Sequence, residues 1–112
     1  MSSRLASGLV VSALIRRANQ AGGFATLLAR GDADAGAVLV VTLQNGDARA
    51  WERGIGAGGK TQLLPVGPQD IAGEADVTDY WRRRRAQDPD LWVLELNIAS
   101  AQRFAAETIL DD

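Results

Sequence analysis

Cysteine and histidine are both missing from the chain, and together the two absences remove most familiar routes to catalysis. Without cysteine there are no disulfides, thiolate nucleophiles or cysteine metal sites. Without histidine, imidazole acid–base chemistry, a Ser-His-Asp arrangement and the usual zinc sites are closed to it. Lysine occurs once, at Lys60, so arginine supplies eleven of the twelve basic side chains. Any catalysis would rest on carboxylates, that lysine or hydroxyls, and no cofactor or metal is expected. A membrane-length apolar run is lacking too. In MSSRLASGLVVSALIRR the apolar middle is cut off by Arg16 and Arg17, and no signal peptide is visible, which makes the cytoplasm the expected location.

A basic excess is also absent. The net charge is −2 and the pI is near 5.0, so there is no global attraction to nucleic acid or an anionic membrane. The positive charge is nevertheless unevenly placed. Before Asp32 only arginines are charged, and Arg82 to Arg85 form a second basic block. The 112 residues, 46% of them apolar, make one domain with a single core, spanning residues 1–112.

Hydrophobic spacing sets out the elements. Leu5, Leu9, Leu14, Ile15 and Ala18 form a helical stripe, which predicts a helix from Ser7 to Ala21 stopped by Gly22-Gly23. A short strand over Leu9–Ile15 is the alternative. Phe24 to Arg30 reads as a strand, and the turn-rich Gly31–Gly36 leads to a second strand, AVLVVTLQ. Asn45-Gly46 suits a type I′ hairpin turn, because both residues tolerate positive φ. A two-residue loop pairs Gln44 with Asp47, Thr42 with Arg49, Val40 with Trp51 and Leu39 with Glu52. One face of the hairpin then carries Leu39, Val41, Leu43, Ala48 and Ala50 toward the core. The other is polar only near the turn, and its Val38, Val40 and Trp51 require a cover from this chain or from a partner. Thr61 to Val66 reads as a strand kept at a sheet edge by Pro65. A helix over Glu74–Gln87, with Val77, Tyr80 and Trp81 on one face, is ended by Asp88-Pro89-Asp90. Leu91 to Ile98 is apolar on both alternating sets except at Glu95 and Asn97, as in an interior strand. Ser100 can cap a last helix through Phe104 and Ile109.

Gly54 to Thr61 fits the phosphate-loop pattern GxxxxGK[ST], which aims backbone N–H groups and a lysine at nucleotide phosphates. Its neighbours contradict that chemistry. The segment before it is a half-polar hairpin strand, and Pro65 would break the helix that should follow. Nucleotide binding is therefore not expected.

Arg82 to Arg85 lie in the last turns of their helix, where positive charge complements the dipole. Arg84 and Arg85 flank the apolar face and are expected to reach Asp88, Asp90 or Glu95, whereas Arg82 and Arg83 face solvent. Those two, with Arg16 and Arg17, are the candidate contacts for an RNA or DNA ligand. Arg30-Gly31-Asp32 spells an adhesion tripeptide, which a strand-end turn explains better. Asp32, Asp34 and Glu95 are the available catalytic carboxylates, with no sign that they share a cleft.

VSALIRR at Val11–Arg17, AGGFATLLARGDADAGAVLVV at Ala21–Val41 and RRRRAQDPDLWVLEL at Arg82–Leu96 resemble a bacterial family, domain of unknown function 1491. GDADAG and DPDLWV are the specific parts. The Gly54–Thr61 loop lies where that family varies, and the stretch after Ile98 departs from members that run into a charged turn. The resemblance implies no activity, cofactor or catalytic residue.

These readings predict an α+β single small domain. Its sheet is mostly antiparallel and four- to five-stranded, with two or three helices packed largely on one face. The leading functional expectation is a non-enzymatic binding or assembly module acting through protein–protein contacts, with self-association through Val38, Val40 and Trp51 as one form. Nucleic-acid binding comes second and a carboxylate enzyme third.

Overall fold

The computed structural model describes residues 6–44, 46–55, 57–59, 61–67, 73–99, 101, 103 and 105. In chain order the elements are α1 (Ser7–Gln20), β1 (Phe24–Ala29), β2 (Val38–Gln44), β3 (Asp47–Ile55), β4 (Thr61–Val66), α2 (Glu74–Gln87) and β5 (Trp92–Asn97). The five strands form one sheet in the order β1-β5-β2-β3-β4. β2 and β5 run parallel, and every other neighbouring pair is antiparallel.

The hairpin register is the one the Asn45-Gly46 turn predicts, with Leu39 opposite Glu52, Val40 opposite Trp51 and Gln44 opposite Asp47. Gly46 has φ +82°, which suits the turn, and Asn45 lies outside the described residues. β4 is an edge strand, with Pro65 set opposite Trp51.

α1 ends in a Schellman motif. Gly22 adopts φ +86°, while the Gly23 N–H donates to the Ala18 carbonyl at 2.9 Å and the Gly22 N–H to that of Asn19 at 3.3 Å. The buried stripe of this helix is Ser7, Val10, Val11, Leu14 and Ala18. It is rotated from the predicted one, for Leu9 is 61% exposed. The rotation follows from how the helix begins. The Ser7 and Gly8 N–H groups donate to the carbonyls of Asp34 and Ala33, and the Ser7 hydroxyl donates to the Gly36 carbonyl. Anchoring Ser7 inward places residues three, four, seven and eleven positions later inward as well.

Helices cover both faces of the sheet, which corrects the expectation of one covered face. On one face α1 and the buried Ala101 and Ala105 meet Val38, Val40, Trp92, Leu94 and Leu96. On the other, Val77 of α2, with Tyr80 and Trp81 beside it, meets Leu39, Val41, Ala48, Ala50 and Val93. β2 and β5 are therefore buried on both sides, as a parallel pair generally is. The two-sided apolarity of Val38–Val41 and Leu91–Leu96 has this double layer as its cause. Ala101, Arg103 and Ala105 are helical. Ser100, Phe104 and Ile109 of the predicted last helix lie outside the described residues.

Candidate functional site

The two specific parts of the sequence resemblance, GDADAG and DPDLWV, meet in space. The Asp32 N–H donates to the Asp90 carbonyl at 3.0 Å, and the Trp92 indole N–H donates to the Asp32 carbonyl at 2.7 Å. A Cβ on either Gly31 or Gly36 would sit 2.1 Å from the Asp90 oxygen, so the backbones touch where only glycine fits. The Asp32 carboxylate accepts from the N–H groups of Asp34 and Ala35, at 3.2 and 2.9 Å, which folds the loop on itself. Arg30 stacks over Trp92, 5.8 Å from the ring centroid.

Beside this junction a cavity of about 350 Å³ opens between the start of α1, residues Asp34–Val38 and Arg53 of β3. The amide groups of Ser7 and of Asp34 to Gly36 are already engaged. Those of Asp34 and Ala35 bind Asp32, the Gly36 N–H donates to the Asp32 carbonyl, and the first two of α1 bind the loop carbonyls. Those amides therefore do not form a free N–H cradle for an anion.

The candidate partner face is internal. Val38 and Val40 are buried at 1% and 0% exposure beneath α1, and Trp51 packs at the margin of the same core. The Trp51 indole N–H donates to the buried Thr42 hydroxyl at 3.0 Å. The cover this face required comes from the chain itself, so the three residues are not a partner surface.

The four candidate arginine contacts do not converge. Arg82 and Arg83 are exposed on α2, whereas Arg16, exposed, and Arg17, half-buried, belong to α1 across the sheet. Arg82 stands 5.7 Å from the Trp81 ring centroid. Arg84 departs from its expected partners. Its guanidinium donates to Glu52 of β3 at 2.7 Å and to the Tyr80 hydroxyl at 2.9 Å. The Glu52 bond is the main cause that holds its pKa above the ordinary arginine value. Arg85 donates to the Arg30 carbonyl at 2.9 Å, tying the end of α2 to the end of β1. Both arginines clamp the fold. With the ion-pair side chains 28% and 25% exposed, the coupling of Arg84 to Glu52 is expected to be about 1 kcal/mol. A double-mutant cycle of Arg84→Met and Glu52→Gln in urea measures it.

The carboxylates do not share a cleft either. Asp32 and Asp34 occupy the loop, while Glu95 sits on the α2 side of β5, opposite Thr26 and in register with Val41. Burial, and secondarily the negative charge of Glu74, raises the Glu95 pKa above its usual range. The arginines expected to reach it bond elsewhere, Arg84 to Glu52 and Tyr80 and Arg85 to the Arg30 carbonyl. A carboxyl whose folded pKa is raised opposes folding once it ionises, so its contribution improves as pH falls through that pKa. Glu95→Gln is expected to stabilise the protein modestly at neutral pH. The advantage should shrink on acidification, as read from denaturation midpoints across pH.

The phosphate-loop pattern is a hairpin connection. β3 runs to Ile55, Ala57–Gly59 form a short 3-10 turn, and Thr61 opens a strand where phosphate binding would need a helix. Gly58 and Gly59 take φ +80° and +75°, and Gly56 and Lys60 lie outside the described residues.

Sequence spacing missed the exposed apolar residues at the β1 margin of the fold. Leu9, Phe24 and Leu27 are the large apolar residues left exposed among those described, at 61%, 71% and 36%, and all belong to α1 or β1. The available signal was FATLLA, an uncharged segment without the strict alternation of a half-covered strand.

A family model described as a protein of unknown function (DUF1491) matches residues 5–106. Solved structures are similar to this chain, three of them as follows. A crystal structure of a DUF1491 family protein from Caulobacter crescentus has a TM-score of 0.78 and 36% identity, covering 89% of this chain and 94% of that chain. An NMR structure of a DUF1491 family protein from Caulobacter crescentus gives 0.75 and 34%, covering 92% and 94%. The solution structure of a protein from A. tumefaciens gives 0.64 and 29%, covering 85% and 86%. No curated protein matches the chain.

Proposed function

The chain belongs to the DUF1491 family, and from that premise and its surface we propose that it is a small cytoplasmic, bacterial, non-enzymatic binding or assembly module acting through protein–protein contacts. The observation that carries the reading is the uncharged edge strand β1, which exposes Phe24 on one face of the sheet and Leu27 on the other. Exposed apolar side chains scattered singly need no explanation, but an open strand edge without charge is a template for pairing with another chain. The scattered carboxylates and the missing histidine and cysteine favour binding over chemistry. A photo-crosslinking residue placed at position 24 is expected to give discrete protein adducts in host cells. The same residue at position 62, exposed on the opposite edge strand, should give none. Absence of adducts at 24 would count against the reading.

Nucleic-acid binding stands second, with Arg82 and Arg83 as its contacts. Its support is their exposure, and their isolation from Arg16 and Arg17 weakens it, because affinity for phosphates grows with the number neutralised together. Its mark is salt-sensitive retention on immobilised RNA or DNA that disappears in an Arg82→Ala, Arg83→Ala double variant.

A further inference from the structure

The two edges of the sheet differ in how they meet solvent. On β4, Pro65 removes one N–H, a common guard against strand addition. β1 has no such guard: FATLLA contains neither charge nor proline, and Phe24 is 71% exposed. Its one irregularity is a bulge at the far end, where the register steps from Leu27 to Ala29, leaving Phe24–Leu27 regular.

We propose that a second copy of this chain docks on that edge, β1 against β1 and antiparallel, joining two sheets into one. The proposal rests on the protein-contact reading of the α1–β1 end and names the partner. An antiparallel pair of identical edges is related by a two-fold axis normal to the sheet, which keeps each face on its own side. Opposed residues must then come from the same face, so the axis lies midway between the two copies of one residue, which faces itself.

The strand tells which residue that is. Phe24 and Thr26 lie opposite Asn97 and Glu95 on the α2 side, and Ala25 and Leu27 opposite Leu96 and Leu94 on the α1 side. Leu28 also packs toward the α2-side core. With the axis on Thr26, that threonine faces its own copy, Ala25 meets Leu27, and Phe24 lies against the Leu28 bulge. Each pairing matches like with like, and such cross-strand pairs are what stabilise a sheet. Moving the axis to Ala25 would oppose Phe24 to Thr26. Moving it to Leu27 would set the irregular Leu28–Ala29 step opposite Thr26, next to the centre of the pairing. The uncharged run also leaves nothing to repel an identical strand.

The absence of native cysteine makes the test direct, since an introduced cysteine is the sole thiol. Under mild oxidation Thr26→Cys is expected to form a disulfide-linked dimer at least about tenfold faster than Gln62→Cys, because pairing raises the local thiol concentration. Phe24→Lys, at an exposed position, should slow the Thr26→Cys reaction while circular dichroism stays native. Equal rates at positions 26 and 62, or no effect of Phe24→Lys, would overturn the proposal. If adducts to a different protein still form at position 24, self-pairing fails while the contact surface stands. If neither appears, both fall.

Discussion

Gly36→Ala is expected to destabilise the domain by about 3 kcal/mol, the upper end of what overpacking usually costs. The added Cβ would lie 2.1 Å from the Asp90 carbonyl oxygen and 3.0 Å from the backbone N and O of Asp32. All three are main-chain atoms, so no rotamer change makes room. Relief requires the GDADAG loop to move away from the Asp88–Leu91 turn. That displacement weakens the Asp32-to-Asp90 bond, the Trp92 indole bond and the seating of α1 through Ser7. Gly46 provides the contrast. Its φ is +82° and nothing lies within 4 Å of where a methyl group would sit, so Gly46→Ala carries only the left-handed backbone cost of roughly 1–2 kcal/mol. Urea midpoints for the two variants separate a close approach from a turn. Amide exchange at Asp32 should accelerate in the first alone.

Leu94→Ala is expected to remove about 3–4 kcal/mol, within the range for buried leucine truncations. Leu94 is fully buried, on the interior strand β5, with Leu27 beside it on β1 and Val40 on β2. It packs in the α1-side core, where neighbours on both flanking strands hinder collapse into the void. Against a typical total of about 5–15 kcal/mol, that is a large share. Leu27→Ala, at a position 36% exposed, should cost about 1 kcal/mol or less by the area it still buries. Equilibrium denaturation with an unchanged slope would show that the loss lies in the native core.

Much of the fold was legible because local signals agreed. Asn45-Gly46 set the hairpin register, Pro65 set an edge, and the Asp88-Pro89 stop set the end of α2. The unreadable part was which side each helix takes. Val38, Val40 and Trp51 need a cover, but spacing within β2 and β3 says nothing about its origin. That depends on the Ser7 contacts with Asp34 and Gly36, made between segments far apart in sequence. Leu9 was misplaced for the same reason, since a tertiary anchor at Ser7 turned the stripe. The arginine run was half legible. The exposure of Arg82 and Arg83 followed from helical geometry, while the bond from Arg84 to Glu52 crosses from helix to sheet and has no local signature. The exposed end at Phe24 and Leu27 stayed hidden because an uncharged strand reads alike at a sheet's edge and in its interior.

The strand order also dictates an order of assembly. β2, β3 and β4 are consecutive in sequence and adjacent in the sheet, so a three-stranded meander can close as soon as residue 66 has left the ribosome. β1 is made earlier but, among the described residues, pairs only with β5, which is the last of their strands to emerge. Until then β1 has no strand partner among the described residues, and α1 can rest only on β1, the Ala33–Gly36 loop and the Val38 and Val40 side of β2, without the Trp92, Leu94 and Leu96 layer that completes its core. β5 must then enter as a wedge, parallel to β2 on one flank and antiparallel to β1 on the other. Such non-local closure is slow and leaves apolar strand edges open while it lasts. During synthesis, the N-terminal third of this chain is the segment most in need of a chaperone.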